Sequence, residues 1–227
     1  MTGLGDLSAE VAARYARLDL PSWPNPHPDG AEAREEEYSR VTAPERYRIV
    51  HARARVWIDV LTDLLDVDTV PLPAAPLDGT EPSQGSFDRG TKLVPRRPDT
   101  LPLLLLERDA PQPGHQSTLA VLHISAAEPR ITLMSVPDCG CDACDWGSED
   151  LLDAIDDTVG RVVGGPFVAL LGQGWFAQWH PDGGASGGTR SDTPHDTLLD
   201  WCRRAATGER GHLPDGVEVH VGRSWLD

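Results

Sequence analysis

STLAVLHISAAEPRITLMSVP, residues 117–137, is the passage on which the fold turns. Two apolar runs, STLAVLHIS (117–125) and RITLMSVP (130–137), are separated by AAEP. So short a spacer suits a hairpin and predicts two adjacent antiparallel strands. Upstream, LPLLLLE (101–107) is a continuous apolar run, the pattern of a buried strand. Downstream, PFVALLG (166–172) and GWFAQWHP (174–181) read as a second hairpin turning at 172–174. VEVHVGRSWL (217–226) alternates as a closing strand.

Helical periodicity interrupts these runs. Apolar side chains at Tyr47, Val50, Ala54, Trp57, Ile58, Leu61, Leu64 and Leu65 predict a core helix over 43–66, with Thr42 and Glu45 as a T-x-x-E capping box. Leu151, Leu152, Ile155, Val159, Val162 and Val163 predict another over 149–163, capped by Ser148. A short helix is expected over 8–18 with Ser8 as N-cap, and one from Thr193 and Pro194 to near Gly208. Runs of strands with packed helices define an α+β fold: a mostly antiparallel sheet of five or six strands with three or four helices packed on it. The passage 130–172, strand then helix then strand, would allow one parallel pair.

The punctuation between these elements is proline and glycine. PSWPNPHPDG (21–30) excludes helix and sheet, so residues 1–42 read as an N-terminal helix and Pro-rich arm, and 43–227 as a single α+β domain. Trp23 is expected to pack back on the body. Residues 67–100, rich in Pro, Gly, Asp and Ser, read as a long loop whose basic pair Arg96 and Arg97 is a solvated feature. GGASGG (183–188) reads as a flexible loop; it lacks the lysine of a phosphate-binding loop.

The 227 residues carry a formal charge of −16. Phosphate backbones repel such a chain, so no nucleic acid partner is expected, and the charge would suit a basic protein partner. The longest strongly apolar run, 101–106, is far below the ~20 residues of a membrane span, and the N-terminus lacks a signal-peptide pattern, so neither a membrane association nor export is expected. A cytoplasmic chain keeps its four cysteines reduced, which favours metal or redox chemistry over a structural disulfide.

That chemistry concentrates in PDCGCDACDWGSED (137–150). Cys139, Cys141 and Cys144 form C-x-C-x-x-C between a strand end and a helix start. Three thiolates within six residues can occupy three corners of a tetrahedral zinc site. Cys202 is the first candidate for the fourth ligand, followed by His180, His195, His123, Asp138 and Asp145. Four protein ligands would make the zinc structural; three and a water would leave a position for Lewis-acid chemistry. CDAC (141–144) alone would also fit a thiol-redox site, although the preceding C-x-C is foreign to that pattern. Glu149 and Asp150 occupy a helix first turn, where acids are favoured in any case. Asp153, Asp156 and Asp157 lie opposite the apolar stripe of their helix and read as a solvated face. No serine-nucleophile elbow and no H-E-x-x-H is found.

Two segments, EEEYSRVTAPERYRIV (35–50) and SVPDCGCDACDWGSEDLLDAIDD (135–157), resemble an uncharacterised actinobacterial family, a domain of unknown function with EEYSRVT-x-PERY and PDCGCDACD motifs. The resemblance implies a bacterial cytoplasmic protein in which the cysteine knuckle is a family feature; it transfers no catalytic residue. Three readings follow: a protein with a structural zinc knuckle; a thiol-redox or metal-dependent enzyme using C-x-C-x-x-C; or an acidic, immunity-like partner-binding protein. Whether the chain is an enzyme, and in what oligomeric state it works, are not legible in the sequence.

Overall fold

The four consecutive leucines of 103–106 show how the molecule is organised. In the computed structural model, which describes residues 2–28, 32–77, 85–112, 114, 116–188 and 193–226, they open strand β3 (Leu103–Pro111) and alternate between two cores. Leu103 and Leu105 join the main core; Leu104 and Leu106 join a smaller one with Leu77 and Phe87 on the opposite face. Covered on both faces, the strand reads as an unbroken apolar run. Each such fully buried leucine contributes about 2 kcal/mol.

Around β3 lie β1 (Val67–Pro76), β2 (Ser86–Pro95), β4 (Thr118–Ala126) and β5 (Thr132–Val136), in the order β1-β2-β3-β4-β5 with every neighbouring pair antiparallel. A second antiparallel sheet, order β8-β7-β6-β9, is built from β6 (Phe167–Gly172), β7 (Trp175–His180), β8 (Gly183–Gly188) and β9 (Glu218–Gly222). Four α-helices complete the described residues: α1 (Leu4–Tyr15), α2 (Ile49–Leu64), α3 (Ser148–Gly164) and α4 (His195–Ala206). The architecture is α+β. No helix among the described residues is long and apolar enough to cross a membrane.

The main core lies between α1, α2, α3 and the first sheet; Trp57 of α2 is fully buried at its centre. α2 and α3 are joined by a polar brace: Asp156 of α3 pairs with Arg53 and accepts the Trp57 indole N–H at 2.7 Å. Asp156 is therefore tied inward, while Asp153 and Asp157 are exposed as the helical wheel predicts. α4 covers the second sheet, packing Leu198, Cys202 and Ala205 on Val168, Leu170 and Ala177.

Several sequence expectations are corrected. Residues 67–100 are mostly strand, not loop: β1 and β2 pair from Val67↔Pro95 to Pro76↔Ser86. The prolines that mask β1 are tolerated because it is an edge strand with one neighbour. GGASGG is strand β8, again at an edge. Its glycines let the backbone lie close to larger neighbours: a Cβ at Gly184 would come within 2.7 Å of Leu199 Cδ2. The allowed parallel pair does not form, since β5 and β6 belong to different sheets.

The caps differ as well. α1 starts at Leu4 behind Gly3, with the Gly3 amide bonded to Asp6 at 2.8 Å, so Ser8 is interior. A 3₁₀ turn (Pro44–Arg48) precedes α2, and Ala43, in the left-handed region at φ 49°, occupies the capping position. Gly147 rather than Ser148 caps α3, and Pro194 rather than Thr193 caps α4. Asp29 and Gly30 of the expected arm, and residues 78–84 of the expected loop, lie outside the described residues.

Candidate metal centre

β5 ends at Val136, and the chain then turns through Cys139, Gly140 and Cys141. Gly140 sits at φ +69°, where side chains are strained, and a Cβ there would meet Leu119 Cδ2 at 2.5 Å. The turn brings the sulfurs of Cys139 and Cys141 to 3.1 Å. A single 3₁₀ turn follows, Asp142–Cys144, closed by the Cys144 amide on the Cys141 carbonyl at 3.0 Å. Residues three apart eclipse in a 3₁₀ turn, so Cys144 returns over Cys141.

The three sulfurs lie within 4.8 Å of one another, and the cysteines are free. A tetrahedral ion with metal–sulfur bonds of ~2.3 Å requires sulfurs about 3.8 Å apart, close to the spacing this turn provides. Cys141 is buried, whereas Cys139 and Cys144 are exposed. Burial pushes the Cys141 thiol up, but hydrogen bonds from Cys139, from Cys144 and from the amides of Cys144 and Ala143 outweigh it and leave the thiol below its ordinary value. Its neighbours Cys139 and Cys141, with burial added, push Cys144 up to about 12.

The carboxylates of Asp142 and Asp145 fasten the N-terminal arm to the knuckle. Asp142 accepts the Arg40 guanidinium, the Thr42 amide at 2.7 Å and the Thr42 hydroxyl at 2.6 Å. Burial raises its carboxyl, but Arg40 and Thr42 more than offset this and hold it below the usual range. The Asp142 amide returns a bond to the Arg40 carbonyl at 2.8 Å, and His27 Nε2 donates to the Asp142 carbonyl at 3.1 Å. Asp145, its side chain 1% exposed, accepts the Trp23 indole N–H, an Arg46 N–H and the Gly147 amide. Arg46 also stacks over Trp23, 4.6 Å from the ring centroid. Ser148 Oγ accepts the Trp23 amide at 3.1 Å, which explains why it is unavailable as a cap.

These contacts are where reading from the sequence fell short. Asp145, a candidate ligand by sequence, commits its oxygens to Trp23, Arg46 and the Gly147 amide. Thr42 was assigned to a helix cap and instead serves Asp142. The usable signal lay in the two segments singled out as characteristic, 35–50 and 135–157, which pack directly on each other here.

The other candidates are dispersed. Cys202 lies in the α4 core, where burial pushes its thiol up to about 12, and it is not part of the three-sulfur group. His123 is buried in β4, with Nδ1 sharing a hydrogen bond with Ser135 at 2.7 Å and Nε2 unpartnered. His195 bonds Ser186 at 2.7 Å. His180, at the end of β7, borders a separate cavity of about 770 Å³ with Gln178, Arg161 and Asp182. Among the described residues no fourth Cys, His, Asp or Glu donor joins Cys139, Cys141 and Cys144. A cavity of about 330 Å³ adjoins the cluster, lined by Cys139 and Cys144 together with Tyr47, Met134, Trp146 and Asp150.

The geometry thus defines an α+β protein with a three-cysteine knuckle able to hold a metal ion. No curated protein and no solved structure matches the chain. The chain belongs to the Family of unknown function (DUF6226), whose model matches residues 9–227.

Proposed function

We propose that Cys139, Cys141 and Cys144 bind zinc, and that the bound ion fixes the knuckle onto which the N-terminal arm is fastened. The observation that carries this reading is the convergence of three reduced sulfurs within 4.8 Å on one tight turn. Thiolate donors suit zinc, and the amides directed at the Cys141 sulfur stabilise its deprotonated form, which is the form that binds. The carboxylates around the sulfurs orient the turn, a supporting role that surrounding hydrogen bonds commonly play at metal sites.

The deciding experiment is elemental mass spectrometry on untagged protein purified without added metal, beside a Cys139→Ser, Cys141→Ser double variant. About one zinc per chain, lost in the variant, is the expected result. Metal-free protein with rapidly titrating thiols would instead favour a second reading, a thiol-redox site. The observation behind that alternative is the 3.1 Å approach of the Cys139 and Cys141 sulfurs.

A further inference from the structure

The metal reading leaves one coordination position to account for, and the cavity beside the knuckle bears on what fills it. A tetrahedral ion takes four donors, and among the described residues the group supplies three. Of the three carboxylates adjacent to the cysteines in sequence, Asp142 is committed to Arg40 and Thr42 and Asp145 to Trp23, Arg46 and the Gly147 amide, while Asp138 borders the cavity without joining the three-sulfur group. The buried sulfur is Cys141, and the two exposed ones, Cys139 and Cys144, line the 330 Å³ cavity. An ion seated on the three sulfurs would therefore turn its remaining position toward that cavity.

Resting on the metal reading, we infer that this position takes the sulfur of a small, positively charged thiol, an aminothiol. Three properties of the cavity select this class. A centre that already carries three thiolates prefers another soft sulfur donor to a carboxylate. The walls are largely apolar, formed by Tyr47, Met134, Trp146 and Leu151, and the volume suits a molecule of a few heavy atoms with a hydrocarbon stem. Finally, a divalent ion with three thiolates has a net charge of −1, and Asp138 and Asp150 border the same cavity. The local field then repels an anionic thiol and attracts a cationic one. Binding is a ligand exchange: the thiol loses its S–H proton to solvent, a water leaves the ion, and a metal–sulfur bond forms without electron transfer.

The test uses the full chain loaded with cobalt(II), whose thiolate charge-transfer absorption reports the number of sulfurs bound. Titration with 2-aminoethanethiol should raise that absorption by about one third, as three thiolates become four. Binding should be at least about tenfold tighter than for 3-mercaptopropionate, the anionic counterpart. Asp150→Asn, which leaves the three sulfurs in place, should still bind cobalt and should narrow that preference. Cobalt bound but no response to either thiol would overturn the inference and leave the metal reading standing. Equal affinity for the two thiols would overturn the charge selection. A protein that binds no cobalt would overturn both readings.

Discussion

Trp23 donates its indole N–H to both carboxylate oxygens of Asp145, each at 3.0 Å, across 122 residues of chain. The arm is thereby tied to the cysteine knuckle at the same carboxylate that neutralises Arg46. Asp145→Ala would leave a largely buried guanidinium and an indole N–H without their acceptor. Removing one partner of a buried ion pair costs roughly 3–5 kcal/mol. Denaturant unfolding should show a loss of that order, with a change in Trp fluorescence as the arm loosens. Asp145→Asn, which keeps an acceptor but not the charge, should fall between.

Chelation should lower the melting temperature without unfolding the molecule. The main core is assembled from α1, α2, α3 and the first sheet, and none of the three cysteines belongs to it. A ligand that binds only the folded state at a hundredfold excess over its dissociation constant adds about 2.7 kcal/mol. For a chain of this length that corresponds to roughly 5–10 °C. Calorimetry with and without chelator checks this, and an unchanged far-ultraviolet circular dichroism spectrum should accompany the shift.

The pH dependence should centre on His123. Burial, followed by Arg108 and His51, depresses its imidazolium from the ordinary 6.5 to about 4. Between these values the unfolded chain binds a proton that the folded chain refuses, so stability falls as pH drops from 6.5 toward 4. From pH 7 to pH 5 the loss is about 2 kcal/mol. Glu107, its carboxyl held low because Arg55, His51 and Arg89 more than offset its burial, loses its stabilising charge in a more acidic window. In His123→Gln, unfolding curves at pH 7 and pH 5 should differ by correspondingly less than in the parent chain.

Gly140→Ala tests the turn itself. The substitution places a methyl group against Leu119 and forces a strained backbone at φ +69°. A cost of about 1–2 kcal/mol is expected, with weaker metal binding, because the strained turn no longer holds Cys139 and Cys141 in place beside Cys144. Competition with a metal-binding dye would measure the affinity change.

Strong periodicity made the core legible. β3, β4, β6, β7, α2 and α3 each announce themselves through apolar residues whose spacing nothing else explains. β1 and β8 escaped because edge strands escape the usual composition rules: Pro71 and Pro73 are admissible where one side has no partner, and glycine is needed where the backbone passes close to bulky neighbours. The three close cysteines were visible as a motif. The roles of Asp142 and Asp145 were not, since they depend on Arg40, Thr42 and Arg46, about a hundred residues earlier, and no local pattern encodes a pairing over that distance. The three-sulfur group without Cys202 was equally illegible, because only the fold places α4 against the second sheet.

The prolines of β1 have one more effect. The outer margin of a sheet is an invitation to any extended chain able to exchange amide and carbonyl bonds with it. β1 is such a margin, yet Pro71, Pro73 and Pro76 have no amide hydrogen to offer. A stray strand laid along it would find gaps in the ladder, and the first sheet is thereby guarded on this side against runaway self-assembly.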